Sequence, residues 1–381
     1  MIPVFSVAGQ RTGIVTRARF SPAPADHRAI SIETEGSITL IDLPSLKYAT
    51  SNWYSVKFGP FAQAAYTPLD FAFSSDGRVA FVADSGGNVS LDAVNDIGNH
   101  LSKVHKHLIS IEHAHDGGVF AIVPSPAYEF LLYTGGGDGM VRIWDLRYMG
   151  NGNPMLQIPQ GGPIPQEVHP ASQKPVHEMW AHKNAVSAIC FPEKSLMLTA
   201  GIDENIRLWD NTQKTVIATI RSYGTALGIW DIAYNRPLDR AVVVGQSTDV
   251  WAFYTKDFWG TSEPDQHDMV KIDFEDDDIS TVGAFDRWRR PCTHGTNVII
   301  PTLNNRNGAK ILFVDAKTGK ESRRITTDLV DRVHTVDMHP NVYSGLMLTG
   351  AAKKGCAVTT VWMEGEPECA KKTETSLTAP T

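Results

Sequence analysis

The chain has 381 residues, 42% hydrophobic and 20% charged, which suits a globular protein with an ample core. A formal net charge of -7 argues against a nucleic-acid partner on bulk electrostatics. Cys190, Cys292, Cys356 and Cys369 stand far apart with no Cys-x-x-Cys pair, so the spacing points to neither a zinc site nor a disulfide framework. Reduced thiols in the cytoplasm or nucleus are expected. The opening MIPVFSVAGQRTG has no basic region ahead of a long apolar core and is not expected to be a signal peptide. No apolar run has the length of a bilayer span, so no membrane insertion is expected.

Residues 4–9, VFSVAG, read as a lone strand. Residues 18–42 then form two β-type runs around a turn at Glu35-Gly36 and close on Ile41-Asp42. Residues 43–68 carry Trp53, Tyr54 and Phe58 and are expected to hold one more strand and a longer loop. Residues 69–92 repeat the plan with turns at Ser75-Asp76-Gly77 and at Ser85-Gly86-Gly87-Asn88, closing on Leu91-Asp92. Gly and Asn supply the positive φ that such turns demand.

The next two units are near copies. Residues 131–147 read LLYTGGGDGMVRIWDLR and residues 196–210 read LMLTAGIDENIRLWD. They superpose without a gap. Asp138 and Asp203 each stand six places before a tryptophan, Trp144 or Trp209, and four places after a threonine, Thr134 or Thr199. Upstream, IEHAHDGGVFAIV and WAHKNAVSAICF each place a histidine after an alanine, His115 and His182. Self-similarity at a fixed period marks a repeat architecture.

These residues resemble the WD-repeat family of β-propellers. The resemblance covers nearly the whole chain and is closest over residues 111–210. It implies a hydrogen-bonded chain in each unit, Trp144, Thr134, His115, Asp138 and Trp209, Thr199, His182, Asp203. An indole N–H, a hydroxyl and an imidazole buried between sheets must find partners, and a linked network satisfies them together. By the same resemblance the two earlier units are degenerate blades, with Glu35 and Ser85 at the place of the turn acid.

Residues 150–175 are rich in Pro, Gly and Gln and lack periodicity; they read as a surface loop or as a docking segment in extended polyproline form. A fifth unit spans residues 220–257. Its Trp230-Asp231 falls where a first strand belongs, and DVWAFYT, residues 249–255, is the better third strand. The acidic run from Asp273 to Asp278 reads as a solvated loop; a calcium loop would need a Gly at the bend and a closing Glu. FDRWRR, residues 285–290, either neutralises that run or forms a patch for nucleic acid or an acidic peptide. A sixth unit, residues 297–315, turns at Asn304–Gly308. The seventh, residues 333–363, ends near Trp362, but Lys353-Lys354-Gly355 spans its turn, so its polar network is expected to be missing.

The seventh unit supplies only three strands. The spare strand at residues 4–9 is expected to complete it by pairing with about residues 357–362, which removes an open edge. The expected fold is all-β, a seven-bladed β-propeller over residues 1–363, followed by a disordered polar tail at residues 364–381. No Gly-x-Ser-x-Gly elbow, His-Glu-x-x-His pair or Gly-Lys-Ser/Thr loop occurs, and GGGDG at residues 135–139 lies between strands, not ahead of a helix. No catalytic residue, cofactor, metal or small-molecule substrate is therefore expected. The resemblance implies a non-enzymatic scaffold or adaptor that presents the face carrying the His loops to protein partners in a larger complex. One alternative rests on Trp144-Asp145-Leu146-Arg147, the Trp-Asp-x-Arg pattern of propellers that serve cullin-RING ubiquitin ligases as substrate receptors, with Arg147 as the adaptor contact. Another is a histone- or nucleic-acid-associated propeller acting through FDRWRR.

Overall fold

The computed structural model describes residues 1–23, 28–42, 52–56, 66–94, 105–147, 174–221, 228–245, 250–254, 270–272, 289–302, 308–341 and 344–364. The insert from 150, the acidic run and the tail expected from residue 364 fall, apart from residues 174–175 and 364, outside them.

Strand β1 (Ile2–Thr12) opens the chain. The first sheet then runs β2 (Val15–Phe20), β3 (Arg28–Glu33), β4 (Ile38–Asp42) and β5 (Asn52–Val56). The second is β6 (Pro68–Phe73), β7 (Val79–Asp84), β8 (Val89–Val94) and β9 (His105–Ile111). The third is β10 (Val119–Pro124), β11 (Leu131–Gly136), β12 (Met140–Asp145) and β13 (His177–Trp180). The fourth is β14 (Val186–Glu193), β15 (Leu196–Gly201), β16 (Asn205–Asp210) and β17 (Thr215–Arg221). The fifth is β18 (Ile229–Asn235), β19 (Arg240–Gly245), β20 (Val250–Tyr254) and β21 (Val270–Ile272). The sixth is β22 (Cys292–His294), β23 (Asn297–Pro301), β24 (Ala309–Asp315) and β25 (Glu321–Thr327). The seventh joins β26 (Arg332–Met338), β27 (Leu346–Lys353) and β28 (Cys356–Met363) to β1. Neighbouring strands pair antiparallel throughout.

Strand burial follows position in the sheet. The inner strands β3, β6, β7, β15 and β19 are buried along their whole length. Both faces of such a strand are covered, so its sequence reads as a near-continuous apolar run such as AVVVG and not as an alternation. The fourth strands β17 and β25 are mostly exposed. The cores lie between neighbouring sheets. Ile30, Ile32, Ile38 and Leu40 of the first sheet pack on Phe71, Phe73 and Val82 of the second. Tyr133, Val141 and Ile143 of the third meet Phe191, Met197 and Trp209 of the fourth. Each fully buried aliphatic or aromatic side chain of this kind stabilises by about 1.5–3 kcal/mol. The first strands touch in series: β2 and β6, β6 and β10, β10 and β14, β14 and β18, β18 and β22, β22 and β26, and again β26 and β2.

The N-terminal strand pairs with β28, Phe5 opposite Val361, Ser6 opposite Thr360, Val7 opposite Thr359 and Ala8 opposite Val358. Across that seam Ser6 Oγ and Thr360 Oγ1 lie 2.8 Å apart. The strand extends beyond residues 4–9 at both ends.

Three local expectations need correction. Glu35 stands at the place of the turn acid but is exposed and makes no hydrogen bond or ion pair among the described residues; the buried acid of that hairpin is Glu33, hydrogen-bonded by Thr39. In the second sheet the turn acid is present after all, one residue before Ser85. Asp84 Oδ1 accepts from the Gly86 and Asn88 amides at 2.8 and 2.9 Å. In the seventh sheet half of the polar network survives, since Trp362 Nε1 donates to Thr349 Oγ1 at 2.9 Å.

Candidate functional site

In the third sheet, Trp144 Nε1 donates to Thr134 Oγ1 at 2.8 Å, and Thr134 lies 2.7 Å from His115 Nε2. His115 Nδ1 lies 2.9 Å from Asp138 Oδ1. The fourth sheet repeats this: Trp209 to Thr199 at 2.9 Å, Thr199 to His182 at 2.9 Å, His182 to Asp203 at 2.7 Å. Polarity fixes the tautomer. An indole N–H only donates and an ionised carboxylate only accepts. The threonine hydroxyl must therefore donate to Nε2, and Nδ1–H to the aspartate. Both imidazoles are buried. Burial lowers the pKa of each, against the pull of its aspartate, so each ring is neutral. Burial would raise Asp138 and Asp203, but their hydrogen bonds outweigh it and hold both carboxyls well below the usual range. Each aspartate also takes an amide from the loop that bears the histidine, Asp116 N at 3.3 Å or Lys183 N at 3.0 Å. The chain thus ties loop, turn and sheet together.

Two further residues of each network were visible in the sequence as shared positions. Arg142 and Arg207 stand two places before the tryptophans, and each reaches its aspartate, at 2.5 and 3.4 Å. Arg142 also donates to Glu178 at 2.7 Å. Gly136 and Gly201 stand two places before the aspartates. A Cβ on Gly136 would sit 2.1 Å from His115 Nδ1, and one on Gly201 2.5 Å from His182 Nδ1. Only glycine leaves room for the ring. The seventh sheet has Ala351 at this position, and among the described residues no histidine is bonded to its Thr349.

A second polar assembly lies among the first strands. Arg17 of β2 contacts Asp70 of β6 at 3.3 Å and Asp231 of β18 at 2.7 Å. Arg290, just before β22, contacts Asp231 at 3.5 Å and the Leu69 carbonyl. Since β2 and β18 are not in the same or neighbouring sheets, the Arg17–Asp231 pair spans the space between first strands. Asp231, which falls in the misplaced Trp-Asp pair, earns its position here. Burial raises the pKa of Asp70 against the pull of Arg17 and Arg290. On β26, Asp337 accepts from the Phe20 amide at 2.8 Å, and burial pushes it up to about 6. FDRWRR is not an exposed basic patch in its described part: Arg289 and Arg290 are only 1% and 5% exposed. Beside the ion pairs lies a cavity of about 530 Å³. Among the described residues no group of three His, Cys, Asp or Glu side chains could hold a metal ion.

The sequence model of the WD domain, G-beta repeat, matches residues 106–145 and 173–210. These two segments are WD repeats. They coincide with the sheets that hold the complete Trp–Thr–His–Asp chains.

At the opposite end of the first WD repeat from the Asp138 turn, Arg147 follows β12. Its Nε and Nη2 donate to Asp145 at 3.0 and 2.7 Å, and its guanidinium lies 3.5 Å from the Phe130 ring centre. The side chain remains 44% exposed. At the other rim, beside the His182 loop, Trp180 ends β13 and is 69% exposed. The following Ala181 and His182 amides both donate to the Gly139 carbonyl, at 3.0 and 2.9 Å.

Proposed function

We propose that residues 1–363 form a seven-bladed β-propeller whose last blade is completed by β1, and that it is a non-enzymatic scaffold or adaptor in a multiprotein complex of the cytoplasm or nucleus. The serial contacts of the first strands and the β1–β28 pairing support the ring. The WD repeats support protein interaction as its task. The observation that carries the reading is Trp180, an exposed indole at the end of β13, just ahead of the loop that His182 and Asp203 fasten. A rigid, exposed aromatic loses little entropy on docking, and tryptophan is enriched among energetically dominant interface residues. Affinity purification of the tagged full chain with mass spectrometry tests it. Trp180→Ala is expected to lose partners that Val216→Ala, an exposed change on the outer strand β17, retains. Identical partner sets would refute the docking surface, and substrate turnover by the purified chain would refute the scaffold.

A second reading is favoured by the geometry of Arg147. Its guanidinium is oriented by Asp145 and Phe130 yet half-exposed, as an adaptor contact of a ubiquitin-ligase substrate receptor should be. Copurification of the ligase adaptor, lost on Arg147→Ala, supports this reading; a pull-down without the adaptor ends it.

A further inference from the structure

The cavity among the first strands has a chemical bias set by five equivalent positions. The third residue of the first strand is Arg17, Asp70 and Asp231 in the first, second and fifth sheets, but Ala121 and Ala188 in the third and fourth. The three charged residues and Arg290 form the buried ion-paired side. The two alanines leave unfilled volume opposite them, and the cavity of about 530 Å³ is lined by both sets. Pro22, Ser75, Pro126 and Arg236, in the segments that follow first strands, also line it. It therefore extends toward the rim opposite the His loops. Its size falls in the range of pockets that take small organic ligands, roughly 300–1,000 Å³.

Charge and polarity then narrow the occupant. The described lining holds four arginines, Arg17, Arg19, Arg236 and Arg290, against three carboxylates, Asp70, Glu129 and Asp231. Arg17 and Arg290 are engaged with Asp231. Arg19 is different. Its guanidinium lies 3.8 Å from Asp70, whose carboxylate Arg17 already meets at 3.3 Å. It makes no side-chain hydrogen bond among the described residues, and it is 26% exposed. A guanidinium carries five donors, in a fork that matches a carboxylate. Val123, Ile189 and Phe191 give the same lining an apolar part.

We propose that this cavity binds a carboxylate on a short apolar stem, the acid meeting Arg19 and the stem lying on Val123, Ile189 and Phe191. The acid can belong to a free small molecule or to an acidic side chain of a partner peptide. Isothermal titration of the full chain decides, with 4-phenylbutyrate as the free acid, the capped tripeptide Ac-Leu-Glu-Leu-NH2 as the peptide, and 4-phenylbutyramide as the uncharged control. At least one acid is expected to bind saturably, more weakly as ionic strength rises, and the amide not at all. Arg19→Gln removes charge-assisted hydrogen bonds and should weaken binding about tenfold or more. Val123→Glu, which puts a like charge in the wall, should abolish it without touching the ion pairs. Arg221→Gln, an exposed change on β17 with 71% of the side chain in solvent, should leave it unchanged. Binding of the free acid alone assigns the site to a small metabolite, and binding of the peptide alone to a partner. The proposal fails if neither acid binds, if the amide binds as well as the acid, or if both variants retain their melting temperature and full affinity.

Discussion

Thr199→Val tests the polar chain at its narrowest point. The side chain is fully buried and serves two neighbours at once, Trp209 Nε1 at 2.9 Å and His182 Nε2 at 2.9 Å. Valine keeps the shape and removes both partners. Each buried polar group left unsatisfied costs about 1–3 kcal/mol, so a loss of about 2–6 kcal/mol is expected. The seventh sheet provides the internal comparison. There Thr349 accepts from Trp362 and donates, at 3.4 Å, only to the Thr360 carbonyl, with no histidine bonded to it among the described residues, so Thr349→Val should cost less, roughly 1–3 kcal/mol. Thr199→Ser keeps the hydroxyl and should stay within about 1 kcal/mol of the parent. Denaturant unfolding of the full chain gives the totals. Hydrogen exchange locates them, because repeat arrays open unit by unit. Protection should fall first in β15, β16 and the amides of Lys183 and Asn205, which Asp203 accepts. Equal losses from Thr199→Val and Thr349→Val would refute the idea that the histidine adds to the chain, as would unchanged exchange at Lys183.

Gly201→Ala should displace the His182 ring and lower the melting temperature by an amount matching about 1–3 kcal/mol, whereas alanine is already accommodated at the equivalent position 351. His115 and His182 have folded pKa values below the ordinary 6.5, so the unfolded chain binds more protons around and below that pH. Their contribution is complete above about pH 6.5 and lost as pH falls, and melting curves taken from pH 8 to pH 5 should show the decline. Asp337 has the opposite sign. Its folded pKa, raised from 3.8 to about 6, makes the native state the better proton binder between those values, so its contribution is present at low pH and lost as pH rises through about 6. Asp337→Asn, which can still accept from the Phe20 amide, should therefore stabilise by at most about 3 kcal/mol at pH 8 and by nothing near pH 3.5. Deleting residues 1–12 uncovers the long edge of β28, and light scattering should show concentration-dependent aggregation where the full chain stays clear.

The two WD repeats were legible because their chemistry is local and periodic: tryptophan, threonine and aspartate at one spacing, with a histidine upstream of each. Arg142, Arg207, Gly136 and Gly201 were equally periodic and went unremarked, since neither residue type announces a buried role by itself. Asp84 was missed for a different reason. It holds the backbone amides of its own turn, and by strand register it stands two residues before the place that Asp138 takes in the third sheet. The ion pairs among the first strands could not be read at all. Residues 17, 70, 231 and 290 share no spacing, and only the folded order of the sheets brings them together. FDRWRR misled through composition: two of its arginines point inward at the start of the sixth sheet, where Asp231 already waits.

The sheets divide these devices among themselves. The third and fourth invest their polar side chains at one rim, where the complete chains fasten loops, and present alanines at the level where the other sheets meet in ion pairs. The first, second and fifth do the reverse, placing Arg17, Asp70 and Asp231 inward, and among their described residues no such chain of tryptophan, threonine and histidine fastens their loops. A uniform array would need neither arrangement to vary. Packing alone does not account for the pattern, because buried ion pairs are seldom more stabilising than well-packed apolar side chains. What the asymmetry does create is one hydrogen-bonded rim beside Trp180 and one cavity lined by Arg19 and the two alanines. The third and fourth sheets carry the first of these and supply Ala121 and Ala188 to the lining of the second, so a partner held beside Trp180 and an acid held in the cavity would both contact those two sheets.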